Sequence, residues 1–350
     1  MITEANGNLL DANVEALVNT VNCVGVMGKG IALQFKRAYP NMFQDYARAA
    51  KAGEIELGRM HVWPTGLLTG PRFVINFPTK AHWRAQSNLV DIERGLADLV
   101  RVLQDLDVKS VAVPPLGCGN GGLEWMDVEP KIIAALSAVP DLEAFLYPPG
   151  RTPVARQMQT ATPRPPLTLA RASLVRLLSQ YVERALEASP IEVQKLLYLL
   201  QVCGEPLKLQ YTKGLYGPYA DNLRHALQAL EGHYLMGFGD GSALVRDAEP
   251  IRLLPGADEE AGAFLAQHPA TQARIDRVLE LIEGFESAYG MELLATVHWV
   301  SANDPQAVSD AGAAATKVRE WSPRKERMFT TDHVEAAWTA LQQRNWIGAG

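Results

Sequence analysis

Cysteine is scarce in this chain: Cys23, Cys118 and Cys203 are the three thiols among 350 residues. Three cannot close a disulfide framework, and none stands in a Cys-x-x-Cys pair. No metal site is expected either, because the seven histidines are scattered and form neither a His-Glu-x-x-His run nor a Cys/His spacing. No apolar run reaches membrane-spanning length, and the opening Met1-Ile-Thr-Glu-Ala-Asn-Gly has neither a basic nor an apolar leader character, so a cytoplasmic protein is expected. An excess of basic residues is missing as well. The formal net charge of −6 argues against broad, sequence-independent capture of nucleic acid, whose affinity comes from neutralising phosphates with Lys and Arg; a local basic patch stays open.

What is present describes an ordinary globular protein, 47 % hydrophobic and 21 % charged, long enough for two domains. The chain is organised around Val111 to Val128, VAVPPLGCGNGGLEWMDV. Val111-Ala-Val reads as a buried strand, the run Gly117-Cys-Gly-Asn-Gly-Gly frees the backbone, and a helix is expected over Val128 to Ser137. Glycines at this density let successive N–H groups turn toward one point, and a helix N-terminus behind them adds partial positive charge. That geometry suits a phosphate or diphosphate; the same sequence also suits a tight strand-to-helix turn with no ligand.

A second loop of the same kind lies nearer the N-terminus. Ala16 to Asn22, ALVNTVN, reads as a strand, followed by Cys23-Val-Gly-Val-Met-Gly-Lys-Gly-Ile and a helical pattern from Ile31 to Tyr39. Two glycine loops, each after a strand, can clamp one ligand from both sides. Neither is a Walker A motif: Lys29 is followed by Gly30 where Ser or Thr would meet magnesium, so ATPase and GTPase readings drop out. Cys23 and Cys118 sit in these loops, either as thiol nucleophile or redox switch, or as small residues that tolerate a crowded turn.

Residues 1 to 150 alternate strand and helix patterns. Strand-like runs at Gly58-Arg-Met-His-Val-Trp and Arg72-Phe-Val-Ile-Asn-Phe-Pro precede a long amphipathic helix in which Leu89, Ile92, Leu96, Leu99, Leu103 and Leu106 share one face. A strand over Val108 to Val113 and a last one near Ala144 complete a three-layer α/β/α sandwich with ligand loops at the strand ends. Residues 151 to 166 follow Pro148-Pro149 with four more prolines and no apolar period, and read as a linker. Residues 167 to 350 read as a mostly helical domain with helices at Leu169 to Glu187, Ile191 to Val202, Tyr219 to Leu230, Thr271 to Phe285, Met291 to Val300 and Asp332 to Gln343. A small hairpin is expected between Gly232 and Arg252. Ser189-Pro-Ile-Glu192 is a complete helix start, with an N-cap serine, Pro at the first helical position and a closing glutamate. Tyr216, Tyr219, Arg224, His225 and Tyr234 crowd a glycine-rich turn, as hot spots of a binding face or as core. The acidic residues Glu231, Asp240, Asp247, Glu249, Asp258, Glu259 and Glu260, interrupted by Arg246 and Arg252, are a candidate face toward a partner's DNA-binding cleft.

Gly7-Asn-Leu-Leu, Ala16-Leu-Val-Asn-Thr-Val-Asn, Gly25-Val-Met-Gly-Lys-Gly-Ile-Ala, Asn76-Phe-Pro-Thr-Lys and Pro115-Leu-Gly-Cys-Gly-Asn-Gly-Gly-Leu together resemble a macrodomain. More narrowly they resemble the branch that holds the terminal ADP-ribose protein glycohydrolase and the DarG-type DNA ADP-ribosyl glycohydrolases, antitoxins of the DarT/DarG systems. The resemblance covers about residues 1 to 150. It implies ADP-ribose binding with no cofactor: adenine near Asn8 and Leu9, the distal ribose near Asn22 and the loop of Gly25, Met27, Gly28, Gly30 and Ile31, and the diphosphate in Gly117, Cys118, Gly119, Asn120, Gly121, Gly122 and Leu123. Many macrodomains carry Asp at the position of Asn8, whose amide oxygen can still accept from the adenine amino group. The resemblance makes Lys80 the catalytic residue. Its usual partner, an aspartate in the second loop, is absent from Gly119-Asn-Gly-Gly-Leu, and Glu124 and Asp127 downstream read as helix-capping groups. The missing carboxylate puts a covalent two-step mechanism in doubt. A protonated Lys80 would assist the departing base and a neutral one would attack; a diphosphate raises its pKa and burial lowers it.

His82, Trp83 and Arg84 are candidate DNA contacts, a composition that can stack a base and hold a phosphate. Lys195-Leu-Leu-Tyr-Leu-Leu-Gln with Tyr216-Gly-Pro-Tyr-Ala-Asp is similar, more weakly, to the helical domains of SocA-like antitoxins. The resemblances imply an antitoxin that removes ADP-ribose from thymidine in single-stranded DNA, while residues 167 to 350 bind and inhibit a DarT-like ADP-ribosyltransferase. Two other readings stand beside it: hydrolysis of ADP-ribose esters on protein Glu or Asp, and a non-catalytic module that reads ADP-ribose or masks a toxin.

Overall fold

The computed structural model describes every residue except Leu68, Arg151, Thr152, Leu186, Leu244, Ala349 and Gly350, and the side chain of Arg246 is likewise not described. The first two residues of the expected linker and the side chain of Arg246 in the acidic run therefore lie outside what is described. The chain divides into two compact units, Met1–Pro163 with Asp240–Ser242, and Arg164–Gly239 with Ala243–Gly350.

The first unit runs β1 (Ile2–Glu4), β2 (Ala16–Asn22), α1 (Gly30–Ala38), α2 (Pro40–Lys51), β3 (His61–Pro64), β4 (Phe73–Lys80), α3 (Leu89–Asp105), β5 (Ser110–Val113), α4 (Trp125–Leu136) and β6 (Glu143–Leu146). Its sheet has the order β1-β6-β5-β2-β4-β3, parallel throughout except for the antiparallel edge strand β3. Strands covered on both faces must be apolar at nearly every position, which is what Ala16-Leu-Val and Val111-Ala-Val supply. Ala16, Val18, Ile75, Phe77, Val111 and Val113 face the layer of α3 and α4, while Leu17, Val21, Val74 and Ala112 face Phe35, Met42 and Tyr46 of α1 and α2. The result is the expected three-layer α/β/α sandwich. Helix α3 buries Ile92, Leu96, Leu99 and Leu103 as its spacing predicts, and begins at Asn88, whose side chain accepts from Val90 N–H at 3.0 Å.

Several expectations need correction here. Helix α4 starts at Trp125, three residues earlier than expected, and neither Glu124 nor Asp127 closes it with a side chain: Glu124 is the N-cap with no side-chain hydrogen bond, and Asp127 lies exposed in the first turn. Leu123 and Trp125 pack on the core cluster of this layer, and tertiary contact overrides the capping preference. Of the proline-rich stretch, Pro153 to Pro163 belongs to the first unit. Ala155 is buried, Gln157 O accepts from Asn8 Nδ2 at 3.2 Å, and Gln159 Nε2 donates to Asp11 at 2.9 Å.

The second unit contains α5 (Leu169–Ala185), α6 (Pro190–Val202), β7 (Tyr211–Gly214), β8 (Gly217–Ala220), α7 (Leu223–Leu230), β9 (Leu235–Met236), β10 (Arg252–Leu253), α8 (Ala257–Leu265), α9 (Pro269–Leu281), α10 (Ala288–Asn303), α11 (Ala311–Arg319), α12 (Pro323–Met328) and α13 (Thr331–Gln343). Ser189 and Glu192 form the capping box in full. Tyr219 was expected in a helix, but it stands in β8 of a hairpin that pairs Tyr211 to Gly214 with Gly217 to Ala220; the helix begins only at Leu223. The β-excursion expected between Gly232 and Arg252 is a two-residue ladder, Leu235–Met236 against Arg252–Leu253.

Within the acidic run, Glu231, Asp258 and Glu260 have donors close by, and Asp247, Glu259 and Glu260 are exposed. Glu231 is buried and accepts from Gly237, Phe238 and Gly239 N–H, each at 3.1 Å. Asp258 takes Arg176 at 2.7 Å, and Glu260 takes Arg164 at 2.7 Å and the buried Tyr234 hydroxyl at 3.1 Å. Glu231 is the buried one of the three, and its three N–H partners satisfy a charge that is tolerated inside only when hydrogen-bonded; Asp258 and Glu260 make half-exposed and exposed ion pairs. Of the five residues read as hot spots or core, Tyr234 is core, Tyr216 lies under the Arg324 guanidinium at 4.7 Å, and Tyr219 and His225 are exposed.

His298 on α10 is buried, with Nδ1 2.8 Å from the Tyr198 hydroxyl, and burial pushes its pKa down to about 4. The unfolded chain, with an ordinary imidazole near 6.5, therefore binds a proton that the folded chain refuses between about pH 4 and 6.5. Stability is expected to fall as pH drops through that window. Denaturant titrations at pH 7 and pH 5 check this, and His298→Gln should flatten the difference; an unchanged difference in the variant rules the histidine out as its source.

Candidate active site

Strands β5, β2 and β4 are neighbours and parallel, so the loops at their C-terminal ends emerge along one edge of the sheet, where α/β folds place their ligands. From β2 comes Cys23 to Lys29, from β4 Lys80 and residues 81 to 87, and from β5 residues 114 to 124. The β2–β4 register slips at Val21/Asn22, so Asn22 stands opposite Lys80 rather than Thr79. Pairing continues past it, with Cys23 N–H reaching the carbonyls of Lys80 and Ala81 at 3.2 and 3.3 Å.

The first loop is fastened by Asn22. Its Oδ1 accepts from Val24 and Val26 N–H at 3.1 and 3.3 Å, its Nδ2 donates to Val26 O at 2.6 Å, and its carbonyl takes the Tyr46 hydroxyl. The buried amide is thus spent on the loop's own backbone. Gly25 and Gly30 hold positive φ of 77° and 62°, where a side chain is strained. Met27 is buried, Gly28 and Ile31 are half-buried, and helix α1 opens at Gly30 with no side-chain cap on its first N–H groups. Asn8 caps the turn at Leu9–Asp11 by accepting from Leu10 N–H at 3.1 Å, and Leu9 is buried in the same apolar cluster as Met27.

In the second loop, Cys118 N–H closes on Pro115 O at 3.1 Å, Gly122 N–H on Gly119 O at 3.2 Å, and Leu123 N–H on Gly117 O at 3.1 Å. The N–H groups of Gly119, Asn120 and Gly121 find no acceptor among the described residues. Three successive backbone donors are thus left available to an anion. Gly121 has to be glycine, because a Cβ there would lie 2.2 Å from Ser87 Oγ and 2.3 Å from Gly117 O.

Lys80 joins the two loops' edge: its Nζ donates to Asn120 O at 2.7 Å, and a Cβ on Gly30 would touch Asn120 Nδ2 at 3.4 Å. Lys80, the first loop and Asn120 therefore converge. Burial lowers the Lys80 pKa, and no carboxylate pairs with its amine among the described residues. The thiols go the other way. Burial pushes Cys118 up to about 11 and raises Cys23, which disfavours the thiolate form of both. His82, Trp83 and Arg84 are all exposed beyond Lys80; the Arg84 guanidinium lies 4.4 Å from the Trp83 ring centre and His82 5.3 Å from it.

Two features escaped sequence reasoning. Asn19, Asn76 and His61 stand in register across β2, β4 and β3, with Asn19 Nδ2 donating to Asn76 Oδ1 at 2.8 Å, Asn76 Nδ2 at 3.1 Å from His61 Nδ1, and His61 Nε2 3.2 Å from Asp45. This buried polar row underlies the first loop, and burial holds His61 below its ordinary pKa. The other is Ser87, a buried serine whose hydroxyl has no hydrogen-bond partner among the described residues. Both asparagines sit inside motifs that the sequence displays, but nothing in the sequence marks Ser87.

A mixed sheet between two helical layers, with two glycine loops meeting at its C-terminal edge, defines a macrodomain, and the family described as Macro domain matches residues 18–132. The DNA ADP-ribosyl glycohydrolase of Mycobacterium tuberculosis (strain ATCC 25618 / H37Rv) is 46 % identical over 350 residues, covering 96 % of this chain and 98 % of that protein. The chain belongs to the DNA ADP-ribosyl glycohydrolase family. A DNA ADP-ribosyl transferase–DNA ADP-ribosyl glycohydrolase fusion protein of Thermosipho africanus is 32 % identical over 158 residues, 41 % of this chain and 40 % of that one. Among solved structures, the macrodomain of Mycobacterium tuberculosis DarG is 61 % identical, covers 43 % of this chain and 99 % of that chain, and superposes with a TM-score of 0.43.

Proposed function

We propose that this chain removes ADP-ribose from thymidine in single-stranded DNA and that Lys80 is its catalytic residue. The observation that carries the reading is the Lys80 amine, lowered in pKa by burial and placed 2.7 Å from the carbonyl of Asn120 in the second glycine loop. Adenine is assigned to the side of Asn8 and Leu9, and the distal ribose to the loop that Asn22 fastens, with Gly25, Met27, Gly28, Gly30 and Ile31. The diphosphate is assigned to Gly117 through Leu123, with the unpaired N–H groups of Gly119, Asn120 and Gly121 as donors. His82, Trp83 and Arg84 offer a ring and a cation to a base and a backbone phosphate flanking the target.

In the proposed step the bond from the ribose anomeric carbon to the thymine imide nitrogen breaks, water supplies the new oxygen, and the imide nitrogen ends with a proton. The positive charge that develops on the ribose is of the oxocarbenium kind. Thymine leaves as a delocalised anion and needs less acid assistance than an amine, which is why a single lysine suffices where the second loop has Asn120 in place of a carboxylate. The mostly helical part, residues 167 to 350 after the 151 to 166 segment, is assigned the binding and inhibition of a DarT-like transferase in the cytoplasm. The transferase–glycohydrolase fusion of Thermosipho africanus supports that partner, since fusion places both activities in one molecule.

The test offers the full chain two substrates, a thymidine oligonucleotide bearing one ADP-ribose and a peptide bearing ADP-ribose on a carboxylate, with free ADP-ribose followed by mass spectrometry. Release from the oligonucleotide is expected. Release from the peptide alone would replace the DNA reading with ester hydrolysis, and tight ADP-ribose binding with no release would leave a non-catalytic module.

A further inference from the structure

Ser87 is the unexplained group of this site. It is 8 % exposed, its N–H donates to Gly121 O at 2.9 Å, and its hydroxyl fills the space that the missing Gly121 side chain vacates, yet that hydroxyl has no partner among the described residues. A buried hydroxyl without a partner is costly and calls for an explanation. One peptide bond away, Asn120 O is held by Lys80 Nζ at 2.7 Å. No peptide bond among the described residues is cis, so across Asn120–Gly121 the N–H is antiparallel to the C=O: it points away from the lysine and finds no acceptor. The amine proposed to act is therefore occupied by a backbone carbonyl, while an unused donor hydroxyl lies against Gly121, 2.2 Å from where its Cβ would stand.

Resting on the assignment of the diphosphate to residues 117 to 123, we infer that the Asn120–Gly121 peptide is a two-state element and that Ser87 is the positioning residue that holds its substrate-bound state. When the diphosphate arrives, the peptide turns over. Gly121 N–H then faces the phosphate, Asn120 O turns inward to accept from the Ser87 hydroxyl, and Lys80 is released from the carbonyl to face the anomeric carbon. Glycine at 121 permits the rotation, since it has no Cβ to strike Ser87 Oγ or Gly117 O. Substrate binding and the freeing of the catalytic amine become one event, so Lys80 is unmasked only with ADP-ribose in place.

Two measurements test this. In a crystal structure of the full chain with ADP-ribose, Asn120 O is expected within hydrogen-bond distance of Ser87 Oγ and away from Lys80 Nζ. ADP-ribose seated on the loop with the Lys80–Asn120 bond intact overturns the inference alone, whereas ADP-ribose bound elsewhere overturns the loop assignment beneath it. In solution, Ser87→Ala should weaken ADP-ribose binding about tenfold and slow its release from the oligonucleotide, with Ser87→Thr restoring both. The ligand-free Ser87→Ala protein should melt at the parental temperature or slightly above, since the hydroxyl it loses bonds nothing in that state. A ligand-free variant that melts lower while binding ADP-ribose normally makes the hydroxyl a structural group and overturns the inference.

Discussion

Lys80→Ala is expected to slow release of ADP-ribose from the thymidine oligonucleotide by a factor of about 10² to 10⁴, the range for removing a group that transfers or accepts a proton in the transition state. ADP-ribose affinity should hold or rise. Lys80 makes one hydrogen bond, to Asn120 O at 2.7 Å, and truncating it leaves that peptide free to turn toward the phosphate. Single-turnover kinetics and calorimetry on the same preparations separate the two effects. A variant that loses affinity and rate together would make Lys80 a binding group and not a catalytic one. The pH dependence says which form of the amine acts. Burial lowers the Lys80 pKa from 10.5. If the neutral amine attacks or accepts a proton, the rate rises with pH through the lowered pKa; if the ammonium assists the leaving group, the rate falls through the same point.

The largest effect on stability is expected at Glu292. This buried carboxylate on α10 takes Arg324 at 2.5 Å and Lys325 at 2.7 Å, and Lys325 also donates to Thr296 at 3.0 Å. Lys195, equally buried, donates to Pro218 O at 2.7 Å, and burial together with the charge of Lys325 brings its pKa down to about 7 in spite of Glu292. Glu292→Ala would leave these cations with no counter-charge. The expected loss is about 3–5 kcal/mol, the usual range for removing one partner of a buried pair. The sign of the pH dependence follows. A lysine with a folded pKa near 7 and an unfolded pKa near 10.5 is deprotonated first in the folded state, so the unfolded chain holds more protons in between and stability rises with pH. Denaturant midpoints at pH 7 and pH 9 should show a larger rise for Glu292→Ala than for the parent. Adding Lys325→Met should recover part of the loss, and a double variant no better than the single one would mean that packing and not charge is at stake.

Local chemistry made much of this protein legible from the sequence. The glycine loops, the alternation of β2 and β5 with helices, the apolar stripe of α3 and the capping box at Ser189 and Glu192 all depend on residues within a few positions of one another, so their spacing carries them. Lys80 was visible because it closes the run Asn76-Phe-Pro-Thr-Lys. The sequence also displayed the absence of a carboxylate in the second loop, Gly119-Asn-Gly-Gly-Leu. Where a boundary or a role depended on distant partners, the sequence misled. Tyr219 continues a helical pattern but pairs with Thr212 in the hairpin, and Glu124 looks like a helix cap but supplies none.

By itself, then, the sequence determined the sandwich, its two loops and the lysine between them, because hydrophobic period, glycine freedom and capping act along the chain. Only the tertiary structure decided which polar groups are satisfied. Glu231 was spent on the N–H groups of Gly237, Phe238 and Gly239, Glu292 was surrounded by Arg324 and Lys325, 32 and 33 residues away, and the Ser87 hydroxyl was left unpaired beside a loop that begins 30 residues on. The physical reason is that desolvation is a property of the packed interior: a charge or hydroxyl has the same identity in the sequence wherever it ends up, and its cost or use is set only when the fold takes water away and puts a neighbour, or none, in its place.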